Sequence, residues 1–211
     1  MKTLMIVNGT IENYDFYLPW VKDFQWIICV DGGIIHAKKL GLTPDIIIGD
    51  LDSAPVAELS FFQNQKVPIQ LFPKQKDKTD TQLALEYAIE KGASFVTIIG
   101  ALGTRFDHTL GNVHVLDLAL DKKIPVVLIN EYNHIYLISD RIDVNIEQGK
   151  IISLIPFTPQ VTGVYTKGLL YPLKNATLFA GVSYGISNEI IDTDGSISID
   201  KGKLLVIQAR E

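Results

Sequence analysis

Hydrophobic positions fall into two regimes along the chain. Through roughly residue 130, short apolar runs rich in β-branched residues alternate with longer segments of helical period, the pattern of βαβ units on a parallel sheet. The predicted strands are Thr3–Val7, Gln25–Val30, Asp45–Ile48, Pro68–Phe72, Phe95–Ile99 and Pro125–Ile129. Each is apolar almost throughout, as strands covered on both faces must be. Thr79 or Asp80 is expected to cap a helix with Leu83, Ala84, Tyr87 and Ala88 on its apolar face, ending at Lys91-Gly92. Asp107 is expected to cap a second helix, with Leu110, Val113 and Leu116 turned inward. Acidic residues at both starts suit the positive helix end.

After about residue 140 the helical period disappears. Short strand-like runs recur between Gly and Pro turn signals: Lys150–Phe157, Val161–Thr166, Ala176–Phe179, Ile186–Ile191, Ser196–Ile199 and Lys203–Gln208. The expected architecture is therefore α/β: an N-terminal Rossmann-like, mostly parallel sheet with helices on both faces over 1–138, and a C-terminal all-β sandwich over 139–211.

The bulk numbers narrow the function. With 211 residues and 47% hydrophobic content the chain can build a real core. A formal charge of -5 and the lack of a Lys/Arg-rich stripe argue against nucleic acid as a partner. Cys29, the single cysteine, lies in an apolar run and cannot form an internal disulfide. With no secretory leader and no apolar span long enough for a membrane, the expected compartment is the cytoplasm.

Chemistry is concentrated where strands should end. Aspartates stand in three short clusters, Asp31-Gly32-Gly33, Gly49-Asp50-Leu51-Asp52-Ser53 and Asp77-Lys78-Thr79-Asp80, and Gly100 to Asp107 follows the fifth predicted strand. Open α/β sheets bind ligands beyond the carboxyl ends of their strands, so four consecutive loops should face one crevice. A lone aspartate in such a loop is ordinary turn chemistry. Paired carboxylates repel unless something positive lies between them, and Mg2+ is a hard cation commonly held by carboxylates and substrate phosphates.

Asp50 and Asp52 can lean to one side, and Asp77 and Asp80 stand about one helical turn apart. Thr79 could cap or touch a phosphate. Lys76 and Lys78 could balance phosphate charge, Lys76 reading more simply as a solvated surface lysine. Arg105 offers a planar fork for phosphate oxygens, and His108 and Asn112, four apart, share one helix face. His36, His114 and His134 read as surface or packing residues. The chain has neither a Walker loop nor a dinucleotide fingerprint.

Taken in order, Asp31-Gly32-Gly33, Gly49-Asp50-Leu51-Asp52-Ser53, Asp77-Lys78-Thr79-Asp80, Gly103 to His108 with Asn112, and Ser187-Asn188-Glu189 resemble the signature series of thiamine pyrophosphokinases. The resemblance implies a homodimer with active sites between subunits. It implies transfer of the pyrophosphoryl group of ATP to the hydroxyethyl oxygen of thiamine, giving thiamine diphosphate and AMP. It places the metal on Asp50, Asp52, Asp77 and Asp80, ATP on Asp31, Gly32, Gly33, Lys78, Thr79, Arg105, His108 and Asn112, and thiamine on Ser187 and Asn188, with Tyr184 nearby. Asp52 or Asp77 could accept the hydroxyl proton, while Arg105 stabilises charge on the transferred group. Thr104 stands where the family usually carries a glycine. Two alternatives stay open: a pyrophosphokinase of another alcohol such as a hydroxymethylpterin, and a nonenzymatic nucleotide or thiamine diphosphate sensor.

Overall fold

The computed structural model describes residues 1–210, with Gln148 described for its backbone only. It divides into two compact units, Met1–Glu131 and Tyr132–Glu211.

The first unit carries strands β1 (Lys2–Ile6), β2 (Trp26–Val30), β3 (Ile46–Gly49), β4 (Ile69–Leu71), β5 (Phe95–Ile99) and β6 (Val126–Ile129), with helices α1 (Ile34–Lys39), α2 (Val56–Asn64), α3 (Asp80–Glu90) and α4 (Phe106–Asp121). All neighbouring strands are parallel, in the order β6-β5-β1-β2-β3-β4. Successive residues of β1, β3, β5 and β6 are buried rather than alternating, so both faces of these strands are covered. Edge strand β4 is short and partly exposed, which limits its use as a pairing template.

Helix α3 opens as its sequence predicts: Thr79 is extended and its hydroxyl accepts from the Gln82 amide at 3.2 Å. Its buried face is Thr81, Ala84, Leu85 and Ala88, with Leu83 and Tyr87 only half-buried. Helix α4 corrects the expected start. Arg105 is its N-cap residue and Asp107 already lies in the first turn, where the Arg105 guanidinium engages its carboxylate at 2.6 Å. Asp107 still complements the helix dipole, from inside the helix rather than as its cap.

The second unit is all β apart from one 3-10 turn. Its strands are β7 (Asn133–Ile138), β8 (Arg141–Asn145), β9 (Ile151–Pro156), β10 (Gln160–Lys167), β11 (Ala176–Phe179), β12 (Asn188–Glu189), β13 (Asp194–Ser198) and β14 (Leu204–Ala209). They pair antiparallel in the orders β12-β9-β14-β7 and β11-β10-β13-β8. One apolar cluster, including Leu154, Val164, Leu178, Ile197 and Val206, draws side chains from both sets. Within this unit His134 faces Gln208 across the β7–β14 pair. Both residues are buried, and neither imidazole nitrogen of His134 has a hydrogen-bond partner. Among the described residues no helix is long and apolar enough to cross a membrane.

Candidate active site

The strand order places a topological switch between β1 and β5: the chain proceeds from β1 toward β4 on one side and from β5 to β6 on the other. Crevices at such points are where open α/β sheets take ligands. A cleft of about 610 Å³ lies there, lined by residues 7–10 after β1, Asp31 after β2, Asp50, Asp52 and Ser53 after β3, the start of α3, and, after β5, Gly100, Ala101, residues 103–105, His108, Thr109 and Asn112.

Glycines let these loops interlock. The amide of Gly9 donates to Gly100 O at 2.6 Å and that of Thr10 to Leu102 O at 3.1 Å. A β-carbon on Gly9 would strike the Gly100 carbonyl, and one on Gly33 would strike that of Ile6. The Gly32-Gly33 pair, expected to contact nucleotide, is thus buried against the β1 end, while Asp31 reaches the cleft.

Three carboxylates converge: oxygens of Asp31, Asp50 and Asp80 lie within 4.8 Å of one another. Asp31 adopts a left-handed backbone, φ 47°, and its Oδ1 accepts from the Leu51 amide at 3.1 Å. Leu51 is itself left-handed at φ 61°, a costly state for its side chain, so both loops hold strain at the cleft. Burial pushes the Asp31 carboxyl up to about 6, against the Leu51 hydrogen bond and with repulsion from Asp80 and Asp50. Asp50 is held low, first by the Asp52 amide, which donates to it at 3.1 Å, and then by Lys76.

Lys76 is not the solvated surface lysine its sequence suggests. Its side chain is only 13% exposed, with Nζ 3.3 Å from Asp50 Oδ2 and 2.9 Å from Asp80 Oδ1. The latter contact pairs the ammonium with a carboxylate whose side chain is itself 16% exposed.

The remaining candidates separate. Asp52 lines the cleft, its carboxylate 3.8 Å from Lys74. Asp77 is exposed and outside the lining, and Lys78 pairs with Glu86 at 2.8 Å. Thr79, Arg105, His108 and Asn112 line the cleft, as does Thr104. Asn112 is buried and donates to Ala101 O at 2.7 Å, so its amide fixes the β5 loop. Two further groups escaped the sequence reading. Asn8, Gly9 and Thr10 line the cleft, which only the turn signal Asn8-Gly9 at the end of β1 could have suggested. His36 on α1, read as a surface or packing residue, is buried, with Nε2 2.8 Å from Gly9 O and Nδ1 2.7 Å from the Tyr14 hydroxyl. It holds the β1 loop from behind.

In the second unit Tyr184 and Ser187 are exposed, and Ser187 has a left-handed backbone at φ 58°. The Asn188 side chain accepts from the Tyr171 amide at 3.0 Å and donates to Tyr171 O at 2.8 Å.

Known proteins resemble the chain along its whole length. Residues 18–128 match the thiamin pyrophosphokinase catalytic domain and residues 139–204 the thiamin pyrophosphokinase vitamin B1 binding domain. The chain is 33% identical to the thiamine pyrophosphokinase of Bacillus subtilis, with 100% of each chain covered. It is 27% identical to thiamin pyrophosphokinase 1 of Caenorhabditis elegans over 79% of this chain and 72% of that one. A crystal structure of the thiamine pyrophosphokinase from Bacillus subtilis superposes with a TM-score of 0.91 at 28% identity, covering 100% of both chains. Both halves, the full-length identity and the backbone path agree, and the chain belongs to the thiamine pyrophosphokinase family.

Proposed function

We propose that this enzyme transfers the pyrophosphoryl group of Mg-bound ATP to the hydroxyethyl oxygen of thiamine, releasing AMP. The observation that carries the reading is the convergence of Asp31, Asp50 and Asp80 at the switch-point cleft, their oxygens within 4.8 Å of one another. Three converging carboxylates fit a hard divalent cation. When bound, that cation would neutralise phosphate oxygens and polarise the transferred group. The protein's own part is positioning. The glycine-packed β1 and β5 loops bring backbone close to the phosphates, and Arg105, exposed at the cleft with Asp107 beside it, is placed to meet charge on the transferred group. Of the two carboxylates open as proton acceptor, Asp52 lines the cleft and Asp77 does not.

ATP and metal are assigned to residues 1–138 and thiamine to 139–211, whose two antiparallel sheets are read as the layers of a sandwich, with helices covering both faces of the parallel sheet. Tyr184 offers an aromatic face and Ser187-Asn188 polar groups for a cationic aminopyrimidine. The enzyme is assigned to the cytoplasm, as a homodimer with active sites at the subunit interface. Incubation with ATP, Mg2+ and thiamine tests the reading: AMP and thiamine diphosphate should accumulate together. Appearance of ADP, or AMP release with a hydroxymethylpterin but not thiamine, would overturn it; tight ligand binding without turnover would make the protein a sensor.

A further inference from the structure

Three lysines stand in the run 74–78 between β4 and α3, and only one turns inward. The side chains of Lys74 and Lys78 are 69% and 47% exposed, whereas that of Lys76 is 13% exposed. Its ammonium lies between Asp50 and Asp80, whose side chains are 11% and 16% exposed. Carboxylates this close and this shielded repel one another unless a positive charge sits among them. Lys76 supplies that charge. A divalent cation entering among the same oxygens would replace that charge.

We propose that Lys76 is a tethered counter-ion that keeps the cation site assembled before loading and is displaced when the divalent ion enters, its ammonium then turning to the phosphate oxygens of the nucleotide. The inference rests on assigning the cation to Asp31, Asp50 and Asp80. Lysine and metal compete for the same oxygens, so the lysine weakens metal binding to the free protein. Once a triphosphate is present the displaced ammonium has a new partner and the competition fades. Lys76 is therefore a positioning residue that makes metal loading depend on nucleotide.

The test is Mn2+ binding to the full chain, read by electron paramagnetic resonance with and without a nonhydrolysable ATP analogue. Without nucleotide, Lys76→Met should bind Mn2+ about tenfold more tightly than the unsubstituted protein, the order expected for losing one charge-assisted contact. With the analogue that advantage should vanish or reverse. Metal-free Lys76→Met should melt at a lower temperature and recover with Mn2+, and Lys76→Arg should behave like the unsubstituted protein. Should Lys76→Met fail to fold, Lys76→Gln carries the same expectation at smaller size. Equal or weaker Mn2+ binding by the folded variant without nucleotide overturns the counter-ion role alone, provided Asp50→Asn and Asp80→Asn abolish binding. If those aspartate variants bind Mn2+ normally, the cation assignment falls and the counter-ion role with it.

Discussion

A β-carbon on Gly49 would collide with the carboxylate of Asp31. The glycine, at φ 148°, ends β3 and leaves the passage through which the Asp31 side chain reaches Leu51 and the cleft. Gly49→Ala should therefore expel Asp31 from the trio. Mn2+ affinity is expected to fall by about tenfold or more, with a smaller fractional change in stability, of the order of 1 kcal/mol. Metal titration beside a thermal melt checks this, and a variant that binds Mn2+ normally refutes the geometry.

Asp50→Asn and Asp80→Asn keep the side-chain shape and remove one charge each. Turnover should drop on the order of 100-fold or more, the cost of deleting a group that stabilises developing charge. Circular dichroism should stay unchanged. Near-normal turnover by both variants would remove the cation from this trio.

Tyr14, His36 and Gly9 form a chain of hydrogen bonds ending at the cleft wall. Burial keeps His36 neutral, lowering its affinity for a proton against the opposing pull of the Gly9 carbonyl. Tyr14→Phe should cost about 1 kcal/mol of stability. His36→Ala should raise KM for ATP severalfold with a smaller change in KM for thiamine, and His36→Gln should recover part of the loss through its own amide donor. Equal effects on both substrates would show that the histidine is only a packing element.

Acid stability should depend on His134. Burial, with Arg210 nearby, pushes its pKa down to about 4, below the ordinary value. The unfolded chain binds a proton at this group from about pH 6.5 downward and the folded chain does not until about pH 4, so stability is full above 6.5 and declines through that window. The loss reaches roughly 3 kcal/mol by pH 4. His134→Leu should shift the midpoint of acid unfolding to lower pH; an unchanged midpoint would show that the imidazole does not titrate there.

Asn188 serves the backbone of Tyr171 through both ends of its amide. Asn188→Ala should raise the thiamine requirement more than the ATP requirement and cost at most about 1 kcal/mol, since the Tyr171 groups it frees are open to water. Steady-state kinetics with each substrate varied, beside a melt, separates the two. A rise in KM for ATP alone would move the thiamine site elsewhere.

The parallel strands were legible because a strand covered on both faces must be apolar at every position, and Phe95–Ile99 was placed to the residue. Helix α3 announced itself through Thr79. Helices α1 and α2 did not: α1 has six residues, too few for a period to show, and α2 carries little apolar asymmetry. Strands β7 and β8 lie where the hydrophobic period changes, so the pattern there marks a boundary and not an element. At the site, loops were legible but side-chain directions were not. A spacing of three suggested Asp77 beside Asp80, yet the chain enters α3 with Asp77 facing solvent and draws Asp31 in from β2 instead. Asp80 lies only four residues beyond Lys76, but its other partner, Asp50, is distant in sequence, so spacing alone does not separate Lys76 from Lys74 or Lys78.

At the switch-point cleft Gly9 packs backbone to backbone on Gly100, and behind it Gly33 packs the same way on Ile6. Approaches this close leave no room for a β-carbon, so this part of the wall has a fixed shape. Tuning of preference among nucleotides must then come from the rim, at Thr10, Thr104 and His108, where a substitution can alter contacts without unseating the sheet. Variation should accumulate at those edges and be lethal to packing beneath them.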